Sequence, residues 1–260
     1  MASKGRATAR PQRSFQERLL AVMDLKHHWA WPVFSGNRIT HAQLRIHFQQ
    51  EYTVYVKDFP LLLGRLYAKN PPDEIRRELA ANLYEEETGG LSVGRSHPAL
   101  FIEMMDGLGF TAADFARVRL LPASRAYQRW LNTVTTRRPW IEGLAVMTIF
   151  VEGSLKDRQE LENEAAGHRL KNADEIEAVI RNHPLVRFHG VDPKAMDLIR
   201  AHQRVEHGHR LAAWQMVLHA AATPSQQRAV VSAIEKSLDL WLRYRDGVAR
   251  ACGIRPTDAM

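Results

Sequence analysis

The stretch Ala201-His202-Gln203-Arg204-Val205-Glu206-His207-Gly208-His209 holds the sharpest set of metal-ligating side chains in the sequence. His202, Glu206 and His209 stand at i, i+4 and i+7. At 100° per residue on an α-helix they fall within about 60° of one another, so one helix face can aim all three into a single cavity. His207 points elsewhere, about 140° from His202. Two imidazoles and a carboxylate suit iron or manganese, and suit magnesium less well. The bland alternative is a solvated patch on an arginine-rich helix, and the motif alone leaves both readings open.

Two further clusters bring carboxylates. Asn82-Leu83-Tyr84-Glu85-Glu86-Glu87-Thr88-Gly89-Gly90 is followed by His97-Pro98. A glutamate triplet is most often a solvated helix end, and a histidine before proline is often only a cap. The glycines matter, because they let the chain bend until a glutamate and a distant histidine converge. Glu87 is the preferred ligand in this cluster, with Glu86 as the fallback. The third candidate is Glu152, at the end of the apolar run from Ile141 to Val151. A lone buried charge costs several kcal/mol unless it is paired or bound to metal, so Glu152 is either exposed at a helix end or a ligand. The three clusters supply three carboxylates and three histidines from at least three helices, the inventory of a carboxylate-bridged di-iron bundle.

The elements that must position these groups read as helices. Ser14 with Glu17, Thr40 with Gln43 and Thr223 with Gln226 have capping-box spacing. Pro71-Pro72, Pro122, Pro139, Asp192-Pro193 and Thr223-Pro224 place proline near a first helical turn. Helices are expected near 14–26, 40–69, 72–90, 97–108, 111–118, 123–137, 140–166, 173–181, 193–221 and 224–251. Pro60 should kink the second of these. No convincing alternating run bounded by hairpin turns exists. The expectation is an all-α bundle of about eight to ten helices, in one domain over 14–252. A basic, disordered arm over 1–13 precedes it and a short tail over 253–260 follows. The polar stretch 160–190 reads as an elaborated connection.

Bulk properties narrow the classes. A chain of 260 residues with 45% hydrophobic content can bury its own core without staples. The single cysteine, Cys252, rules out an intrachain disulfide framework and a cysteine-rich zinc site. No run of about 18 apolar residues suggests a membrane span, and the N-terminus lacks the apolar core of a secretory signal. The expectation is therefore a soluble, cytoplasmic protein. The net charge of +7 is spread over the arm and over scattered arginines, without an aromatic-interleaved basic stripe, so nucleic acid is not the expected partner.

At these residues the chain resembles the haem-oxygenase-like helical superfamily. It is similar to the pyrroloquinoline-quinone-synthase C-type proteins and to their metal-binding relatives, the haem-oxygenase-like di-iron oxidases and oxygenases. The likeness runs over about residues 27–250. It is carried by Tyr52-Thr53-Val54-Tyr55-Val56-Lys57-Asp58-Phe59-Pro60, by Asn82 to Phe101, by Arg137-Arg138-Pro139-Trp140, by His183 to Asp192 and by the His202–His209 motif. Metal-binding members carry a Glu, a His, a second Glu and then His-x3-Asp/Glu-x2-His. This pattern falls on Glu87, His97, Glu152, His202, Glu206 and His209. Two departures stand out: Glu206 occupies a position that is commonly Asp, and the interval from Glu152 to His202 is long, which an insertion near 160–180 explains.

The resemblance implies an O2-dependent oxidoreductase holding Fe(II), two ions, with manganese as the alternative. It would oxidise a small organic metabolite: an amine, an amino-acid-like compound or an aromatic. Tyr52, Tyr55 and Lys57, together with Trp29 and Trp31, are the candidate pocket residues, without an assigned catalytic role. Relatives that make para-aminobenzoate consume a tyrosine of their own, and no tyrosine here is assigned that part. The electron donor is left open, and a homodimer is an expectation carried by the family alone. The rival readings are a metal-free oxidase of the quinone-synthase type and a non-catalytic helical interaction protein. A thiaminase-type relative would need a nucleophilic cysteine, for which Cys252 is poorly sited.

Overall fold

The computed structural model describes residues 14–162 and 171–259, without the side chains of 206–209 and 259. The expected arm over 1–13 and part of the expected insertion lie outside the described residues. Among those described there are fourteen α-helices and no strand. They are α1 (Phe15–Met23), α2 (Trp31–Phe34), α3 (His41–Val54), α4 (Phe59–Tyr67), α5 (Asp73–Thr88), α6 (His97–Asp106), α7 (Ala112–Ala116), α8 (Pro122–Thr136), α9 (Trp140–Leu144), α10 (Asp157–Glu162), α11 (Ala173–Asn182), α12 (Pro184–His189), α13 (Asp197–Ala220) and α14 (Pro224–Ala251). Nine of these have nine residues or more, the scale of the expected bundle, and the other five are short. No described helix is long and apolar enough to cross a membrane.

Local chemistry accounts for most of the starts. Thr40 with Gln43 and Thr223 with Gln226 form complete capping boxes, as do Thr111 with Asp114 and Asn172 with Glu175. Ser14 caps α1 by accepting from the Glu17 amide. Pro122 and Pro224 open α8 and α14, where the missing amide hydrogen costs nothing. Pro60 does not kink a continuous helix. The chain leaves α3 at Tyr55, makes a 3₁₀ turn over Val56–Asp58 and starts α4 at Phe59, with Pro60 in its first turn. Proline has therefore taken the position it tolerates best instead of straining a helix interior.

The expected helix 140–166 is also divided. After α9 the chain widens into a π-helical segment, Ala145–Val151, then breaks at Glu152 before α10 begins at Asp157. Ala145 to Phe150 are all buried, so this segment is enclosed on every side and forms the axis of the molecule, with the hydroxyl of Thr148 satisfied by the Leu144 carbonyl. Helices α13 and α14 pack on it, while α8 lies along α14, and α5 lies between α4 and α6. The core around it includes Trp214, Tyr127, Tyr244 and Phe110, all fully buried. Beyond residue 252 the chain stays on this body: Ile254 is buried, and Arg38 donates to the Asp258 carbonyl at 2.6 Å.

Gly153 lets the axis end where it does. A side chain there would run into the Ile149 carbonyl oxygen, the Asp157 carboxylate and the Met23 side chain. The backbone carbonyl cannot swing aside without disturbing the π segment. Gly153→Ala is therefore expected to lower unfolding stability by about 1–3 kcal/mol, the ordinary cost of overpacking. Urea denaturation followed by circular dichroism would measure it.

Candidate metal centre

Helix α5 presents Ile75, Leu79, Asn82 and Glu86 at alternating steps of four and three residues, so Glu86 continues the apolar stripe into the molecule. Glu85 lies on the same side and is completely buried. Glu87, a further 100° round the helix, is exposed. The preference for Glu87 is corrected accordingly: the glutamate facing inward with His97 is Glu86.

Helix α5 ends at Gly89 in the left-handed region, φ 61°, where a side chain would run into the backbone of Arg95. The following loop returns the chain against α5. Glu85 holds it there, accepting from the Leu91 amide at 2.7 Å and from the Ser92 hydroxyl. His97, the first residue of α6, is thereby buried beside both glutamates. Its Nε2 lies 3.2 Å from Glu85 Oε1 and its Nδ1 3.0 Å from Glu86 Oε1. Burial alone would lower the His97 pKa, but the two carboxylates outweigh it and raise the value. Burial would likewise raise Glu85, while its hydrogen bonds hold it below the usual carboxylate range.

Glu152 follows the π segment directly, and Asn82 Nδ2 donates to its Oε1 at 2.9 Å, tying α5 to the end of the axis. Lys26 fixes the other side of that end. Its ammonium donates to the carbonyls of Phe150, Val151 and Gly153, the last at 2.6 Å, and so brackets Glu152. Helix α13 brings His202, whose ring centroid is 5.1 Å from that of His97. Arg204 on the same helix donates to the Ser92 carbonyl at 2.8 Å, joining α13 to the loop that Glu85 anchors. Glu206 and His209 continue α13, but their side chains lie outside the described residues.

Glu86, His97, Glu152 and His202 therefore meet at one cavity of about 390 Å³, from four separate elements. Among the described residues no group of three or more His, Cys, Asp or Glu side chains closes into a ready-made cage. The donor chemistry nonetheless fits iron, which takes mixed nitrogen and oxygen ligands. His97 adds a specific sign. Its Nε2 is within hydrogen-bonding distance of Glu85, and its buried Nδ1 has no hydrogen-bond partner. With the ring proton given to Glu85, the Nδ1 would be open to a metal, as in a ligating histidine held by an outer carboxylate. Sequence reasoning missed Glu85. Its signal was the Asn82–Glu85–Glu86 spacing, which puts three polar residues on the buried face.

The rest of the cavity is largely apolar, with Phe48, Phe59, Phe101 and Met104 among its walls. Of the candidate pocket residues, Trp31 and Tyr55 line it. Three do not, and those expectations are corrected. Tyr52 stacks on Phe101 behind the wall at 5.2 Å, Lys57 points to solvent from the 3₁₀ turn, and Trp29 donates to Asp246 at 2.9 Å. Cys252 is buried, and burial raises its thiol to about 11, which leaves it a poor nucleophile.

The same cavity is lined by His47 and Glu51 of α3 and by Tyr55 just after it, at steps of four. Glu51 is 3.1 Å from His47 Nε2, accepts from the Tyr55 hydroxyl, and is 3.4 Å from both terminal nitrogens of the buried Arg245. Burial alone would raise Glu51, but Arg245, His47 and Tyr55 together hold it far below the ordinary carboxylate value. Burial lowers His47, despite Glu51.

The comparisons with known proteins agree on a fold, and the family model adds a coarse chemistry. A family model described as an iron-containing redox enzyme matches residues 46–242. The 4-aminobenzoate synthase of Nitrosomonas europaea is 23% identical over 248 residues, covering 90% of this chain and 91% of that protein. A TenA homolog from Pseudomonas syringae superposes with a TM-score of 0.64 at 15% identity, over 91% of this chain and 90% of that one. A domain with a heme oxygenase-like fold from Shewanella denitrificans superposes with a TM-score of 0.60 at 17% identity, over 91% and 88%. At such identities the solved structures speak for the fold alone, and they bear out the all-α, haem-oxygenase-like class.

A pH dependence of stability follows from Glu51 and His47. A carboxyl whose folded pKa is depressed stabilises the fold above its unfolded value, near 4.5, and loses that contribution as pH falls. A histidine with a lowered folded pKa acts in the same sense below its unfolded value, near 6.5, since the unfolded chain takes up the proton first. Melting temperature is expected to drop on acidification from about pH 6.5 and more steeply below about pH 4.5. Glu51→Gln should start lower at pH 7, by about 3–5 kcal/mol for the stranded Arg245. Its acid limb should be flatter.

Proposed function

Since the chain belongs to the iron-containing redox enzyme family, whose model spans residues 46–242, we propose that it is a non-haem iron oxidase or oxygenase that uses O2 on a small organic metabolite. The observation that carries this reading is the convergence of Glu86, His97, Glu152 and His202 on one largely apolar cavity. Glu86 and Glu152 would be the carboxylate ligands and His97 and His202 the imidazole ligands of two ferrous ions. Glu206 and His209 would complete the set from the face of α13 that carries His202. Bound iron would supply the reductive activation of dioxygen.

The protein's own groups have separate tasks. Glu85 keeps the His97 proton on Nε2 and holds the ring in place. Asn82 orients Glu152, and Lys26 keeps the backbone on both sides of Glu152 from fraying. Phe48, Phe59, Phe101 and Met104 keep bulk water from the reacting face, which protects a reactive oxidant from unproductive reduction. The substrate class is a small amine, amino-acid-like compound or aromatic. The likeness to a 4-aminobenzoate synthase over nine-tenths of both chains supports an aromatic or amino metabolite.

Anaerobic titration with ferrous ion, followed by desalting and colorimetric iron determination, tests the reading. The wild type is expected to retain about two equivalents. Glu86→Ala and His97→Ala should lose most of this iron, and Glu87→Ala should retain it. Glu85→Gln should weaken iron affinity by about 10–100-fold, the usual effect of removing an outer-sphere partner. Retention of no iron by the wild type would overturn the proposal and favour the metal-free oxidase. Equal losses in Glu86→Ala and Glu87→Ala would overturn the assignment of Glu86.

A further inference from the structure

A second cavity, of about 350 Å³, adjoins the first and shares Trp31, Tyr55 and Val151 with it. Its other walls differ in chemistry. Lys26, Lys156 and Arg245 bring three cationic side chains, His27 and His28 add imidazoles, and Tyr127 and Trp241 add aromatic surface. Among the described residues no aspartate or glutamate lines it.

Arg245 is the telling group. It is 4% exposed, and its Nε has no hydrogen-bond partner. Its terminal nitrogens reach Glu51 only at 3.4 Å, long for a charge-assisted bond. The guanidinium lies over Trp31, Trp241 and Tyr244, 4.9–5.5 Å from the ring centroids. The neighbouring carboxylates are engaged elsewhere. Asp246 accepts from Trp29 and pairs with His28, and Asp157 accepts from the Ser154 amide and from Trp214. The guanidinium's charge is thus only loosely compensated, by Glu51 at 3.4 Å and the Tyr55 hydroxyl at 3.5 Å, and a ligand carboxylate in the cavity that Arg245 lines would complete the compensation. Trp31 and Leu155 point the same way: both line this cavity, yet they are 46% and 50% exposed, leaving apolar surface that a flat ligand would cover.

We infer that this second cavity binds an organic carboxylate with a flat apolar body, an aromatic acid, through Arg245 and Lys156 against Trp31 and Trp241. Resting on the oxidase reading above, the inference makes the cavity the anchor for the acidic end of the substrate. The end to be oxidised then extends past Trp31 and Tyr55 toward Glu86 and His97. The volume lies within the roughly 300–1,000 Å³ usual for small-molecule sites.

The experiment uses the iron-free full-length chain, so that it does not depend on redox chemistry. Benzoate is titrated against tryptophan fluorescence and by calorimetry, with benzamide as the uncharged isostere and inorganic phosphate as the bare anion. Benzoate should bind saturably, at least about tenfold tighter than either control, a difference of about 1.4 kcal/mol. Lys156→Glu, at an exposed position on the rim, should weaken benzoate by about tenfold or more with an unchanged circular dichroism spectrum. Arg245→Lys keeps the charge beside Glu51 and removes Nε, so it too should weaken benzoate. Equal binding of benzamide, equal binding of phosphate, or an unaffected Lys156→Glu protein would each overturn the inference. If iron fails to bind but benzoate behaves as expected, the oxidase reading falls and the anion site stands. If iron binds and benzoate does not, the reverse holds.

Discussion

The structure turns on one requirement: Glu85 has no contact with water, and a carboxylate in that position must have every oxygen engaged or give up its charge. Its partners are the Leu91 amide, the Ser92 hydroxyl and the His97 ring. To reach them the chain must turn sharply after α5, and Gly89 in the left-handed region permits the turn. The loop so closed delivers His97 beside Glu86, and Arg204 clasps the same loop from α13, bringing His202 within ring contact. The satisfaction of one buried anion thus fixes the relative positions of three helices.

The second constraint is the π segment. A π turn carries more residues per turn than an α-helix and is uncommon outside functional sites, because its backbone geometry is poorer. Here it rotates the end of the axis so that Glu152 leaves an otherwise apolar surface at the cavity. Lys26 offsets the strain by capping the carbonyls on either side. Asn82 then restrains the carboxylate from α5, so Glu152 is held by backbone and side chain from separate directions.

Much of this was legible in the residues. The caps at Thr40 and Thr223 depend only on local hydrogen bonding, and local rules located them. His202 was singled out by the His-x3-Glu-x2-His spacing, Glu152 by its place at the end of an apolar run, and His97 by the glutamates and glycines before it; all three line one cavity. Glu86 was misjudged in favour of Glu87 by one position, which on a helix is a rotation of 100°. A glutamate triplet offers no contrast in residue type to resolve that. The stripe Ile75–Leu79–Asn82–Glu86 does resolve it, once Asn82 is accepted as an inward residue. Pro60 was read as a kink inside one helix over 40–69, although Thr53 to Val56 are β-branched or aromatic residues that weaken a helix just before it. The helix instead ends at Val54, with Tyr55 in a non-helical conformation and its hydroxyl on Glu51 one turn back. Lys57 failed as a pocket residue because the 3₁₀ turn leaves it exposed, and Tyr52 because it stands 100° round α3 from Glu51, against Phe101.

The two cavities have opposite electrostatic character, and the wall between them shows why. One end of the joined space gathers Glu86 and Glu152 and calls for a cation. The other gathers Lys26, Lys156 and Arg245 and calls for an anion. Glu51 stands near the boundary, 3.4 Å from the terminal nitrogens of Arg245, and Arg245 also lines the second cavity. If Glu51 were neutral, the guanidinium would attract any anion indiscriminately. If it bound Arg245 in close bidentate geometry, the site would be satisfied without a ligand. The long contacts hold the positive charge partly compensated in a low-dielectric wall, where direction counts more than in water. A dipolar molecule entering such a space has one favourable orientation, acid toward Arg245 and oxidisable end toward His97. That selection needs no moving part, only the fixed charges of α3, α5 and α14.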